Sequence, residues 1–426
     1  MSARHLVVLL EGVSVGQVFS DNRGRLRFVY EESWRLAADS YPLSLSMPLG
    51  LAEHTHTIVD AFLWGLLPDN ALVLDSWGRQ FQVSPRNPFT LLQNVGEDCA
   101  GAAQFVRPER LEALHAKKTE NVEWLSERGV AERLRTLRSD HSAWRLERDT
   151  GQFSLAGAQP KTALLLEKGR WGIPSGRTPT THILKPPAGQ FRAFIENEYL
   201  CLQLASRLGF PMANSRIVRF EDETALVIER FDRVHTAKGW VRIHQEDLCQ
   251  ASGIPPTRKY QSEGGPSVED IVAILRAHST SANDDVITFI DAVAFNWLIA
   301  GTDAHAKNYG ILIGPARVRL APLYDIASIL PYPQFDLNRV KLAMKVAERY
   351  RARDIGRREW LKVARQLGLN ADVLMERIGR MAEAIVDLAP EIGSEMNGAG
   401  LASTTVDRLV TRLVGRARWG LARLGI

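Results

Sequence analysis

The segment from Val286 to Asp325 constrains the chain more than any other stretch. Val286 to Ala300 is an apolar run of helical length closed by Gly301, a residue suited to the left-handed turn that stops a helix. Thr302-Asp303-Ala304-His305-Ala306-Lys307-Asn308 then reads as a loop. Tyr309 to Ile313 and Val318 to Leu323 are short apolar runs around Gly314-Pro315-Ala316-Arg317, the pattern of an antiparallel hairpin. Pairing Ile313 with Val318 and counting back along the ladder sets Asn308 opposite Leu323, at the spacing of about 5 Å that opposed residues keep. Asn308 and Asp325 would then flank one small volume, and two such oxygen ligands suit one Mg²⁺.

Asp303 and Asn308 taken alone could be ordinary turn residues, since Asp and Asn are common in loops. A second carboxylate returned to the same place by a hairpin gives the pattern its content. Phosphotransferases of the protein-kinase type place an aspartate that orients the acceptor hydroxyl, then four residues, an asparagine on Mg²⁺ and a second metal-binding aspartate. Asp303, Asn308 and Asp325 repeat that order.

Composition is that of a globular protein: 426 residues, 45% hydrophobic and 24% charged, long enough for two or three domains. The apolar stretch Leu6 to Leu10 is broken by Glu11-Gly12, and no run approaches the roughly 18 apolar residues of a membrane helix. Neither export nor a membrane partner is expected, which leaves the cytoplasm as the default. Cys99, Cys201 and Cys249 are far apart and suit reduced, buried thiols. The net charge of +4 is uneven, because residues 340 to 426 hold 16 Lys or Arg against 10 Asp or Glu. That basic part permits contact with nucleic acid or an acidic partner, although a solvated helical face explains it as well.

The chain divides by pattern into four stretches. Residues 1–106 are β-rich, opening with a hairpin of His5 to Leu10 and Val13 to Phe19 around Glu11-Gly12. Residues 107–150 contain the charged, helix-periodic stretch Arg107 to Arg148, a helical connector. Residues 151–232 resemble a kinase small lobe. A small-residue loop from Gly151 to Lys161 precedes the strand-like Thr162 to Glu167, and a loop from Lys168 to Thr180 leads to the strand Thr181 to Lys185. Small side chains let backbone N–H groups approach phosphates closely, and a strand-end lysine such as Lys185 can reach them as a point charge. The helix after Lys185, from about Ile195 to Leu208, carries Glu196 and Glu198, either of which could pair with that lysine; Glu198 is preferred. A second hairpin, Arg216 to Phe220 and Thr224 to Glu229, leads to Glu229-Arg230-Phe231, where a kinase chain crosses between lobes and holds an adenine edge. Residues 233–426 are mostly helical in period, a large lobe carrying the Asp303 loop.

Together, Ser154-Leu155-Ala156-Gly157-Ala158-Gln159-Pro160-Lys161-Thr162, Glu229-Arg230-Phe231-Asp232, Gln245-Glu246-Asp247, Thr302 to Asn308 and Tyr324-Asp325 resemble the HipA-type toxin kinases over nearly the whole chain. The resemblance implies an α+β, protein-kinase-like bilobal fold with a β-rich N-terminal lobe and an all-helical C-terminal lobe. It implies a serine/threonine protein kinase that uses ATP and Mg²⁺ and is the toxin of a type II toxin-antitoxin pair. A helix-turn-helix antitoxin that binds operator DNA would be its partner, and an aminoacyl-tRNA synthetase, most often the glutamyl enzyme, its substrate, with translation arrest and persistence as the outcome. Carried over, Asp303 resembles the catalytic base, Asn308 and Asp325 the metal ligands, and Lys185 the phosphate-binding lysine. His305 and Lys307 resemble the catalytic loop near the γ-phosphate, with Tyr324 beside the metal aspartate. Ala156, Gly157, Ala158, Gln159, Pro160 and Lys161 resemble the nucleotide-phosphate loop, and Glu229, Arg230 and Phe231 the adenine crossing. Ser154 resembles the serine the family autophosphorylates, an event that ejects that loop. Pro160 departs from relatives with a polar residue there and should stiffen the loop.

Two other readings compete. A small-molecule phosphotransferase of the aminoglycoside or choline kinase type usually shows His-Gly-Asp before the four-residue gap, whereas Gly301-Thr302 precedes Asp303 here. A degenerate kinase fold serving only as corepressor on DNA is opposed by the intact Asp303, Asn308, Asp325 and Lys185.

Overall fold

Alternating apolar residues near the N-terminus give strands, and the left-handed pair Glu11 (φ 52°) and Gly12 (φ 81°) closes them into the hairpin Arg4–Leu10 and Val13–Ser20. The computed structural model describes residues 4–115, 122–146, 149, 153–187, 189, 191–237 and 239–426. Gly151 and Gln152 of the small-residue loop, and residues 116–121 and 147–148 of the charged connector, lie outside them.

The chain forms two units, each discontinuous in sequence: residues 1–189, 216–257 and 310–318, and residues 190–215, 258–309 and 319–426. The helix after Lys185 therefore belongs with the second unit, although the sequence pattern groups it with the small-lobe strands.

The first unit is built on sheets. A five-stranded sheet runs in the order Glu53–His54, Leu26–Tyr30, Val13–Ser20, Arg4–Leu10, Ala103–Val106. A six-stranded sheet runs in the order Ser215–Phe220, Glu223–Glu229, His182–Lys185, Thr162–Glu167, Arg170–Pro174, Val122–Leu125. Its inner face carries Leu164, Ile173, Leu184, Ala225 and Val227, which bury Val130, Ala131 and Leu134 of the helix Glu127–Ser139. Each such fully buried aliphatic side chain contributes about 1.5–3 kcal/mol, enough to fix which face of the helix turns inward.

Two expectations are corrected here. The charged stretch from Arg107 to Arg148 is not purely helical: Val122–Leu125 is the edge strand of the six-stranded sheet, paired with Arg170–Pro174. The latter strand in turn lies within the stretch read as a Gly- and Pro-rich loop. Lys168 (φ 50°) and Gly169 (φ 77°) make the turn that folds it back on Thr162–Glu167. Local composition signalled a loop, but pairing on both edges supplies the backbone partners a strand needs.

The second unit is mainly helical, with Phe194–Arg207, Val268–His278, Ala282–Ile299, Arg357–Leu367, Ala371–Gly398 and Thr404–Leu424. It also holds the hairpin Lys341–Val346 and Arg349–Arg351, which helical periodicity did not reveal. Ala282–Ile299 is its central helix, apolar nearly all round and buried along most of its length. Fully buried Trp297 on this helix packs against Trp360 at 5.8 Å and Trp419 at 5.6 Å between ring centroids, and its indole N–H donates to Ala352 O at 3.0 Å. Asp285 and Asp291 on the same helix are buried, and Arg319 and Arg377 respectively pair with them. The helix that leads into the Asp303 loop is thus held from several sides. No helix among the described residues is long and apolar enough to cross a membrane.

Candidate active site

The Asp303 loop owes its path to how the central helix ends. Ala300, not Gly301, is the left-handed residue (φ 52°), and its N–H and that of Gly301 both reach Asn296 O. Gly301 is required for space: a Cβ there would lie 2.2 Å from Asn296 Oδ1. The chain then turns tightly. His305 N–H donates to Asp303 O at 2.8 Å, Asn308 N–H to His305 O at 2.9 Å, and Ala306–Asn308 form a single 3₁₀ turn. Asn308 Nδ2 donates to Asp303 O at 2.7 Å, so one side chain ties both ends of the loop together.

Asp303 is the exposed member, with 70% of its side chain accessible, while His305, Lys307 and Asn308 are buried. His305 Nε2 lies 3.9 Å from Asp303 Oδ1. The ring of Tyr260 stands edge-on to His305 at 5.0 Å, and the Tyr260 hydroxyl donates to Asp303 Oδ1. Tyr260 has no place in the loop motif, and nothing local in the sequence marks it.

Asp325 arrives by a route other than the one counted from the hairpin. Gly310–Gly314 and Arg317–Leu320 do pair, but Asn308 lies in the 3₁₀ turn before the first strand, and the chain leaves the ladder after Leu320. Leu323 pairs instead with the Pro211–Ala213 stretch: its N–H donates to Pro211 O at 2.8 Å, and it accepts from Ala213 N–H at 3.0 Å. On the other side Ser328 Oγ donates to Ile299 O at 2.5 Å and Ser328 N–H to Asn197 Oδ1 at 3.1 Å. Between these anchors Asp325 adopts a left-handed conformation (φ 58°), a strained choice that Asp tolerates better than most residues. The Tyr324 hydroxyl donates to Lys307 O at 2.9 Å, joining the residue before Asp325 to the residue before Asn308. Hydrogen bonds thus tie Asn308 to Asp303 and the Tyr324 side chain to the same loop, all within the second unit.

The donor set fits a hard cation. Asn308 spends its amide nitrogen on Asp303 O, so its oxygen is the atom left to ligate, and Asp325 adds a carboxylate. Among the described residues no cluster of three or more His, Cys, Asp and Glu has metal-binding geometry. By chemical type, one amide oxygen and one carboxylate are donors that suit Mg²⁺, which keeps several waters.

The first unit holds the other residues singled out from sequence. Ser154 is fully buried; its hydroxyl donates to Leu66 O at 2.7 Å and its N–H to Asp98 O at 2.9 Å. Beyond it, Lys161 Nζ turns back onto Ala156 O at 2.8 Å and lies 5.3 Å from the Trp144 ring, which closes the Ala156 to Lys161 loop on itself. Gly157 needs its freedom here, since φ 101° is a backbone conformation that side-chain-bearing residues rarely adopt. Gly157 O accepts from Asp69 N–H at 2.9 Å, and Ala158 O accepts from Asn70 Nδ2 at 3.1 Å. In a trans peptide the N–H points opposite to the preceding C=O, so Ala158 N–H and Gln159 N–H face away from that turn. Successive N–H groups presented this way suit an anion. Gln159 and Pro160 are half-buried beside them.

Lys185 is buried at the end of its strand, opposite Leu226, and Glu198 is fully buried on Phe194–Arg207 in the second unit. Glu229 is exposed at the end of its strand and Phe231 half-buried. The Arg230 side chain is turned into the first unit. Its guanidinium donates to Asp232, Thr180 Oγ1 and Cys99 O, and its N–H to Thr181 O. The side chain serves a buried network in which Asp98 and Asp232 meet Arg230, Arg233 and Arg242. Burial alone would raise the Asp98 carboxyl, but Arg233, Arg230 and Arg242 outweigh it and hold Asp98 below the usual carboxylate range.

Residues 153–389 match the family model described as the HipA-like C-terminal domain, and residues 6–106 that described as the HipA N-terminal domain. The chain belongs to the HipA family. Relatives match along its length: a putative kinase of Sinorhizobium fredii is 34% identical over 100% of both chains. The serine/threonine-protein kinase toxin HipA of Shewanella oneidensis is 30% identical over 85% of this chain and 83% of its own. The HipA chain in a solved complex of Shewanella oneidensis HipA, HipB and operator DNA superposes with a TM-score of 0.83 at 26% identity, covering 98% of this chain and 97% of that one. The α+β class with a β-rich first part is the HipA fold, and the chain is a protein kinase of the HipA serine/threonine kinase toxin family.

Proposed function

We propose that the chain transfers the γ-phosphoryl group of ATP to a serine of a protein, with Asp303 receiving and orienting the acceptor hydroxyl. The observation that supports this reading is the pair of hydrogen bonds, Asn308 Nδ2 to Asp303 O and Tyr324 hydroxyl to Lys307 O, that ties Asn308 to Asp303 and the residue before Asp325 to the same loop. Asp303 is exposed and can meet a protein substrate; Asn308 is buried and fixed, as a ligand-bearing group must be. Asn308 and Asp325 would hold Mg²⁺, whose charge offsets that of the phosphate oxygens when bound. Ala158 N–H and Gln159 N–H in the loop from Ala156 to Lys161 would receive phosphate oxygens, and Lys185 would add a positive charge. His305 would buttress Asp303, and Lys307, Tyr324, Glu229 and Phe231 would complete nucleotide binding.

Ser154 is the proposed site of self-modification. Its hydroxyl is buried against Leu66 O, so Ser154 must leave that contact before a phosphoryl group can be delivered, and a phosphate could not return to it. The proposed role is that of a toxin in the bacterial cytoplasm, restrained by a helix-turn-helix antitoxin whose dimer binds operator DNA. The proposed substrate is an aminoacyl-tRNA synthetase, probed first with the glutamyl enzyme, and its loss would stall translation and favour persistence.

Incubation with ATP and Mg²⁺ followed by mass spectrometry tests the reaction class. Phosphate on Ser154 or on a synthetase is the expected result. Turnover of aminosugars with no phosphorylated protein would overturn it. Phosphoproteomics after induced expression identifies the substrate; a phosphoserine on another protein, with every synthetase unmodified, would discard the synthetase reading.

A further inference from the structure

The turn from Leu66 to Asn70 links two helices of the N-terminal part, His56–Gly65 and Ala71–Phe81. By its letters Leu67-Pro68-Asp69-Asn70 is an ordinary helix start, with Asn70 as N-cap accepting from Leu72 N–H at 3.0 Å. Asp or Ser would cap the helix equally well. What distinguishes Asn is that its amide also donates, and Nδ2 donates to Ala158 O at 3.1 Å, eighty-eight residues along the chain.

Asn70 is one of a row of contacts. Ser154 hydroxyl reaches Leu66 O, Pro68 forms a parallel bridge with Gly157, and Asp69 N–H donates to Gly157 O at 2.9 Å. Successive residues of the turn thus grip successive residues of the loop. By drawing the carbonyls of Gly157 and Ala158 towards itself, the turn sets the opposite direction for the N–H groups of Ala158 and Gln159. A loop ordered before the ligand arrives does not have to lose that freedom on binding.

We infer that Asn70 is a positioning residue for nucleotide binding: its side chain orients the Ala158 peptide so that the loop presents its N–H groups to the phosphates of ATP. The inference rests on the proposal that Ala156 to Lys161 receives those phosphates. Asn70→Asp keeps the helix cap and places an acceptor against Ala158 O, so the peptide loses its donor while the helix start survives. Asn70→Ser is the second variant, since it also caps but falls short of Ala158.

The experiment measures ATP dissociation by calorimetry, and KM and kcat for protein phosphorylation, on the full chain. Both Asn70 variants should weaken ATP binding about ten-fold and raise KM for ATP to match, the loss expected when a hydrogen bond is removed, with kcat nearly unchanged. Gly157→Val is the parallel variant in the loop itself and should weaken ATP binding at least as much. Unaltered ATP binding by Asn70→Asp and Asn70→Ser, with Gly157→Val impaired, would overturn the positioning role and leave the phosphate loop standing. Unaltered binding by all three would overturn both. A loss of kcat with KM unchanged would also overturn it.

Discussion

Tyr260 donates its phenolic hydrogen to Oδ1 of Asp303 across 43 residues of sequence, and its ring packs edge-on against His305. An exposed carboxylate with free rotamers would spend much of its time misaimed, and this tether restricts it. Tyr260→Phe keeps the ring contact and removes the tether. The rate of protein phosphorylation should fall about five-fold, on the order of 1 kcal/mol in the barrier, with ATP affinity unchanged. An unaltered or increased rate would exclude the positioning role.

Asp303→Gln should remove phosphoryl transfer while leaving the loop folded, because Asn308 Nδ2 bonds to the Asp303 backbone carbonyl and not to its carboxylate. The expected loss is about 10²- to 10⁴-fold, the usual contribution of a positioned proton acceptor. Single-turnover phosphorylation measures it, with ATP binding as the control. Toxicity on expression should vanish with the activity, and a variant that stays equally toxic would sever the effect from catalysis.

Asp98 accepts from Thr180 N–H at 3.0 Å and Thr180 Oγ1 at 2.6 Å, and pairs with Arg233 at 2.9 Å and Arg242 at 3.3 Å. Asp98→Asn would leave three buried guanidiniums facing Asp232 alone. Removing one partner of a buried ionic cluster costs about 3–5 kcal/mol. Urea unfolding reads that loss, and a destabilisation below about 1 kcal/mol would show the network to be dispensable.

Glu246 is buried and accepts from Ser44 Oγ at 2.5 Å and Leu45 N–H at 2.7 Å; its carboxyl is pushed up to about 8, chiefly by burial. Between the ordinary value of 4.5 and about 8 the folded chain holds a proton that the unfolded chain has released. The stabilisation tied to that proton is complete below the ordinary value and is lost as pH rises through about 8. The slope is at most about 1.4 kcal/mol per pH unit. Glu246→Gln lacks this titration, so its stability relative to the parent should grow between about pH 6 and about pH 8.5. A difference that stays constant with pH in urea unfolding would refute the assignment.

The central helix, the loop after it and the hairpin beyond were legible because each rests on local pattern: a long apolar run, its end at Ala300-Gly301, and short apolar runs around Gly-Pro, although Ala300 and not Gly301 takes the left-handed turn. The path by which the chain reaches Asp325 was not legible. Leu323 found its partner in Pro211–Ala213, more than a hundred residues upstream, where a count along the ladder could not reach. The partners of the Arg230 side chain were not legible for a related reason: they include Cys99, 131 residues away. The strands Val122–Leu125 and Arg170–Pro174 were missed because each is a strand by virtue of the other and of Thr162–Glu167.

The sequence by itself determined which chemical groups the chain carries and in what order, since Asp303, Asn308 and Asp325 are defined by identity and spacing. Tertiary structure decided which of those groups face one another. Tyr260 reaching Asp303 and Asn70 gripping Ala158 are contacts between distant segments. Backbone propensity and hydrophobic period act over a few residues and cannot encode such partners. They form only when burial of the surrounding cores fixes both segments, so that a hydrogen bond costs little further ordering.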